Sequence, residues 1–150
     1  MSIYSNIIDG KIPFVKTALL EIEFSGTENA PEISVAIVVD NTVIALMPLS
    51  TEVYKFEYNI IDSNEITQHE FRIELRGDPQ GTRLHIHKIL IEGLDMRLTM
   101  EDSGTCVMHN IPHVPSEYMG QEGYQSLRFT TPIYPWLLAN ERKDTYYYPH

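Results

Sequence analysis

Residues Pro31–Gly93 read PEISVAIVVDNTVIALMPLSTEVYKFEYNIIDSNEITQHEFRIELRGDPQGTRLHIHKILIEG, and this stretch decides the fold. Along it, apolar and polar residues exchange places with a period of two. Successive side chains of an extended chain point to opposite faces, so this period marks strands with one buried face. Ile33, Val35, Ile37 and Val39 form one such face. Asp40 and Asn41 follow; both tolerate turn conformations, which predicts a tight hairpin with Val43–Met47 as partner strand. Val53–Ile60 alternates again, with Tyr54, Phe56, Tyr58 and Ile60 on one side. In His69–Arg76, Phe71, Ile73 and Leu75 point one way, while Glu70, Arg72, Glu74 and Arg76 point the other. Gly77–Gly81 is a turn by composition. The strand Arg83–Glu92 changes phase: Leu84 and Ile86 are followed by Ile89 and Ile91, which predicts a β-bulge near His87 and Lys88.

Outward from this stretch, Ala18, Leu20, Ile22 and Phe24 give an earlier strand with one apolar face. Residues 1–16 carry Asp9-Gly10 and Pro13 and are expected to be an N-terminal arm. Asp95–Gln125 holds Gly104, Pro112, Pro115, Gly120 and Gly123, and is expected to be a long loop with one or two short strands. Leu127–Thr130 suits a last strand. Pro132–Asn140 suits a short helix, because Pro135 fits a first helical turn. Residues 126–150 are set apart as a C-terminal extension ending in the aromatic tail Tyr146–Tyr148. No long helices alternate with the strands, which excludes a parallel α/β sheet. The expected fold is all-β: a single domain over 1–150 built as a jelly-roll β-sandwich.

Composition narrows the function. The chain has 150 residues, enough to bury a core without a disulfide or metal. Its formal net charge of −10 argues against binding nucleic acid through phosphates and against a polybasic membrane contact. An acidic surface suits neutral ligands, cations and solubility. The lone Cys106 has no internal disulfide partner and reads as a small buried hydrophobe. The N-terminus lacks a signal-peptide pattern, and no apolar run reaches the length of a membrane span, so a soluble protein is expected. Gly-x-Ser-x-Gly, phosphate-loop, Cys-x-x-Cys and His-Glu-x-x-His motifs are all missing, so no enzyme is expected.

Three segments carry a family likeness. They are Val35-Ala36-Ile37-Val38-Val39-Asp40-Asn41-Thr42-Val43, then His69–Asp78, then Gly81–Gly93. Together, over Pro31–Gly93, they resemble the calcium-dependent xylan-binding modules, which are jelly-roll β-sandwiches attached to plant-cell-wall hydrolases. The resemblance implies a non-catalytic module that meets a saccharide at the loops around Asp78 and Gly81, with Asp78, Gln80 and Arg83 as ligand-binding residues. It also implies Ca²⁺ as cofactor. The chain keeps Asp78 but has Gly81 where a second acidic residue of that turn would stand. Leu127–Leu138 is similar to the ends of small marine phage proteins, which implies a virion or phage-accessory role.

The remaining residues admit two readings each. Asp78 with Glu74, Glu92 or Asp95 offers oxygen ligands for Ca²⁺, or simply ends a strand. His85 and His87 lie two apart on one strand, and His69 on a neighbouring strand could join them. This gives a metal set of Asp78, His85 and His87, against a plain polar pair. Tyr54, Phe56 and Tyr58 could stack on sugar rings, but their polar alternates favour a core role. Tyr134 and Trp136 complete the expected ligand set if exposed, or cap the sandwich if buried. The alternative function is a structural or assembly protein, whose sandwich carries contacts to a homo-oligomer or virion partner.

Overall fold

The structure is a computed structural model that describes the backbone of residues 17–147 and the side chains of residues 17–140. The expected arm at 1–16 and the side chains of the Tyr146–Tyr148 tail lie outside these residues. The strands are β1 (Thr17–Gly26), β2 (Ala30–Val39), β3 (Thr42–Leu49), β4 (Tyr54–Ile61), β5 (Thr67–Arg76), β6 (Leu84–Ile91), β7 (Leu94–Asp95), β8 (Thr105–Met108), β9 (Ile111–His113), β10 (Tyr118–Met119) and β11 (Gly123–Thr131). Two helices join them, α1 (Arg97–Ser103) and α2 (Ile133–Tyr147).

The strands form two antiparallel sheets, as the jelly-roll β-sandwich reading requires. One runs β10-β6-β1-β4, with β7 beside β6; the other runs β3-β2-β5-β11-β8-β9. Period-two burial builds the space between them. Ala18, Leu20, Ile22 and Phe24 of β1 meet Val35, Ile37, Phe71, Ile73, Leu127 and Phe129 of the facing sheet in one buried cluster. Each of the Val, Leu, Ile and Phe side chains contributes about 1.5–3 kcal/mol on leaving water. Tyr54, Phe56 and Tyr58 lean onto this cluster, with the Tyr54 ring 5.7 Å from Phe24. They are half-buried against the core. Cys106 is buried, and desolvation pushes its thiol pKa up.

Local chemistry sets the turns. Asp40 and Asn41 both take positive φ, 48° and 65°, which matches the right-handed twist of the β2–β3 hairpin. The bulge in β6 is present. Glu23 pairs with Lys88 while the next residue, Phe24, pairs with Ile86, so His87 is the extra residue. That slip turns Ile89 and Ile91 back into the core.

Two regions differ from the sequence expectation. The stretch Asp95–Gln125, expected as a long loop with one or two short strands, contains α1, the three short strands β8, β9 and β10, and the start of β11. These elements have too few residues to show a period. The segment from residue 126 supplies the interior of a sheet, since β11 lies between β5 and β8. The extension begins only after Thr131, where a cis Thr131–Pro132 peptide leads into α2. Asp62 Oδ1 accepts the N–H of Ile133 at 3.0 Å, satisfying a free donor of the first turn of α2.

Candidate functional site

The turn after β5 is held from three sides. Gly77 has φ +101° and Gly81 has φ +84°, left-handed conformations that suit glycine. Between them the Gln80 N–H bonds the Asp78 carbonyl at 3.0 Å, and the Thr82 N–H bonds the Pro79 carbonyl at 3.1 Å. Thr82 is buried; its hydroxyl meets Thr27 Oγ1 at 3.0 Å and accepts the Glu28 N–H at 3.1 Å. The Arg83 N–H donates to Thr27 Oγ1 at 2.9 Å. The turn is thereby fastened to the β1–β2 connection.

Asp78 fastens it to a second loop. Its Oδ1 accepts the Glu122 backbone N–H at 2.9 Å and pairs with His109 Nε2 at 2.5 Å. Glu122 answers by accepting the Gly77 N–H on Oε2 at 2.7 Å. The Glu122 N–H, and after it His109, hold the Asp78 carboxyl below its ordinary range. His109 itself sits in a hairpin turn with Asn110, both at positive φ. Sequence reasoning found Asp78 but missed Thr27, Thr82 and Glu122, and did not join His109 to Asp78. Their spacings of 31 to 56 residues leave no local pattern.

Arg83 begins a column of planar groups on the outer face of β6. Its guanidinium lies 4.7 Å from the Tyr118 ring centroid. The Tyr118 ring stacks on His85 at 4.4 Å and 16°, because β10 pairs Tyr118 directly with His85. His85 and His87 follow at 4.1 Å, tilted by 58°. They lie two apart on β6, so alternation places both rings on one side. His87 Nε2 meets Ser25 Oγ at 2.7 Å, and His85 Nε2 lies 3.6 Å from Glu117 Oε2. Burial, then the neighbouring His85, lowers the His87 pKa.

The proposed metal set is not assembled. His85 and His87 come together, but Asp78 bonds His109 and Glu122 instead. His69 belongs to the other sheet, where its Nδ1 pairs with Asp40 Oδ2 at 2.7 Å. Among the described residues no group of three or more His, Cys, Asp or Glu is placed to hold a metal. Calcium takes six to eight oxygen ligands. At this turn one oxygen of Asp78 and one of Glu122 already accept hydrogen bonds, and Gly81 supplies no carboxylate. The two carboxylates of this turn alone do not make up a Ca²⁺ site.

The expected ligand set divides in two. Asp78, Gln80 and Arg83 share one end of the sandwich. Tyr134 and Trp136 lie on α2 near the far end of β6, which spans eight residues or about 25 Å. Both are half-buried against the core. Trp136 meets Phe129 edge-on at 6.1 Å, and the Tyr134 hydroxyl donates to Glu92 Oε1 at 3.3 Å. Burial and then Glu92 push the Tyr134 phenol up. These two residues cap the sandwich.

No protein-family model and no curated protein matches the chain. Two solved structures are similar to it. One is the selenomethionine form of vCBM60, described in connection with a circular permutation linking two families of calcium-dependent carbohydrate binding modules. It is 18% identical, with 73% of this chain and 88% of that chain covered at a TM-score of 0.52. The other is vCBM60 in complex with galactobiose, 17% identical, with 72% and 95% covered at a TM-score of 0.48. At such identity the likeness is one of fold, and the chain shares the β-sandwich architecture of vCBM60.

Proposed function

We propose that this protein is a non-catalytic saccharide-binding module, and that it meets its ligand at the end of the sandwich carrying Asp78, Gln80 and Arg83. The fold likeness to vCBM60 supports this reading. The observation on this chain that carries it is the Arg83–Tyr118–His85 column beside a turn fastened on several sides. Planar polar groups offer hydrogen-bonding edges to sugar hydroxyls, and a fixed turn lowers the entropy cost of binding. Binding here is independent of calcium, because the Asp78 and Glu122 carboxylates already hold the loops together. A glycan array, run with calcium and then with a chelator, tests this. Chelator-resistant hits that Arg83→Ala and Tyr118→Ala abolish are expected. A blank array, or hits that both variants retain, rejects the reading.

An assembly role in a homo-oligomer or virion is the second reading, and β3 favours it. This edge strand exposes Val43 (44%) and Leu46 (58%) opposite Val38 and Ala36, on the side away from the core cluster. Among the described residues no strand pairs with the outer edge of β3, and an apolar edge of this kind invites another strand. Light scattering of the purified protein decides: a dimer or larger closed assembly that Leu46→Lys dissociates supports this reading, and a monomer rejects it.

A further inference from the structure

Arg83 stands apart from the other arginines of the structure. Arg72, Arg76, Arg97 and Arg128 each pair with a carboxylate, at 2.6, 3.1, 2.8 and 3.7 Å. Arg83 makes no ion pair among the described residues, although the chain carries 21 acidic residues against 11 lysines and arginines. Packing fixes its side chain instead. The stem runs past Gly120, where a Cβ would stand 3.3 Å from Arg83 Cγ and 3.7 Å from Cδ. The guanidinium then lies 4.7 Å from the Tyr118 ring centroid, and His85 braces that ring at 4.4 Å. An arginine held in this way loses less side-chain freedom when it binds.

The approach to Arg83 is open. The residue is exposed, and a side chain at the neighbouring Gly81 would meet no atom within 4 Å. The carboxylates of the surrounding loops are engaged elsewhere. Asp78 accepts the Glu122 N–H and pairs with His109, Glu122 accepts the Gly77 N–H, and Glu117 lies 3.6 Å from His85. Charge farther off is screened beyond about 8 Å at physiological salt, so the net charge of −10 does not decide what meets this group. A free guanidinium presents a planar fork of N–H donors, the complement of the two coplanar oxygens of a carboxylate.

We infer that the saccharide recognised here is an acidic one, a uronate whose ring carboxylate takes the Arg83 fork. This rests on the saccharide-binding reading and names the class of sugar.

The test is an array carrying galacturonate, glucuronate, sulfated and neutral oligosaccharides, with calorimetry on each uronate hit and on its methyl ester, the same ring without the charge. Uronate hits are expected, with the ester about tenfold weaker than the acid. Arg83→Gln should erase that difference. Arg128→Gln, on the other sheet and paired with Glu70, should leave it unchanged. Hits confined to neutral or sulfated glycans, equal affinity for acid and ester, or a preference that survives Arg83→Gln overturns the inference. Neutral hits that Arg83→Ala and Tyr118→Ala abolish would overturn it and leave the saccharide reading standing, whereas a blank array overturns both.

Discussion

Asp78 and Glu122 each hold the other's loop by its backbone. The Asp78 carboxylate accepts the Glu122 N–H, and the Glu122 carboxylate accepts the N–H of Gly77, the residue before Asp78. The folded-state pKa of Asp78 lies below its ordinary 3.8. A carboxyl shifted this way adds stability above pH 3.8, and that gain disappears as pH falls through the lowered value. Asp78→Asn should therefore melt below wild type at neutral pH, and the two melting curves should converge in acid. Thermal melts across the acid range check this; a constant gap would show that the clamp does not depend on ionisation.

His87 works in the opposite charge sense. Burial and His85 depress its folded pKa below the ordinary 6.5, so the unfolded chain takes up a proton first. Stability is full above pH 6.5 and declines below it until the lowered value is passed. His87→Gln should flatten that part of the melting profile. Melts just above and below pH 6.5, compared for the two proteins, measure it.

Gly123 is the position least able to accept a side chain. A Cβ there would stand 2.0 Å from the Val107 carbonyl oxygen and 2.8 Å from Met108 Cα, both backbone atoms that cannot swing aside. Gly123→Ala should cost about 3 kcal/mol by prying β8 from β11. Gly120→Ala, whose nearest contact is the flexible Arg83 side chain at 3.3 Å, should cost far less. Urea denaturation of both variants ranks them.

Asp62 anchors α2 from the far side of the sequence. Asp62→Ala removes the acceptor for the Ile133 N–H and should cost about 1–3 kcal/mol. Asp62→Asn keeps an acceptor oxygen in place and should cost less. Trp136 is the single tryptophan and packs on Phe129, so its fluorescence reports whether α2 stays docked.

Alternation made most of the sandwich legible in the sequence. Phe71, Ile73 and Leu75 against Arg72 and Glu74 could only be a half-buried strand, and the slip between Ile86 and Ile89 located the bulge. The short elements after Asp95 were illegible, because strands of two to four residues and a helix of seven carry too little period. Of the proposed site, the sequence singled out Asp78, Gln80 and Arg83 at a Gly-Asp-Pro turn and the His85–His87 pair two apart on one strand. Tyr118 reaches His85 through a two-residue strand, and Glu122 reaches Gly77 across 45 residues, so neither partner announces itself locally. Tyr134 and Trp136 admitted both a surface and a cap reading, and the structure packs them, half-buried, against Glu92 and Phe129.

The place of β11 between β5 and β8 governs how this chain is made. A ribosome delivers β2, β3 and β5 long before Gly123, and until then β5 has an open edge where its neighbour belongs. Nascent chains therefore wait with an unpaired, Phe- and Ile-bearing strand that other chains can borrow. The second neighbour of β5 is thus among the last strands to leave the ribosome.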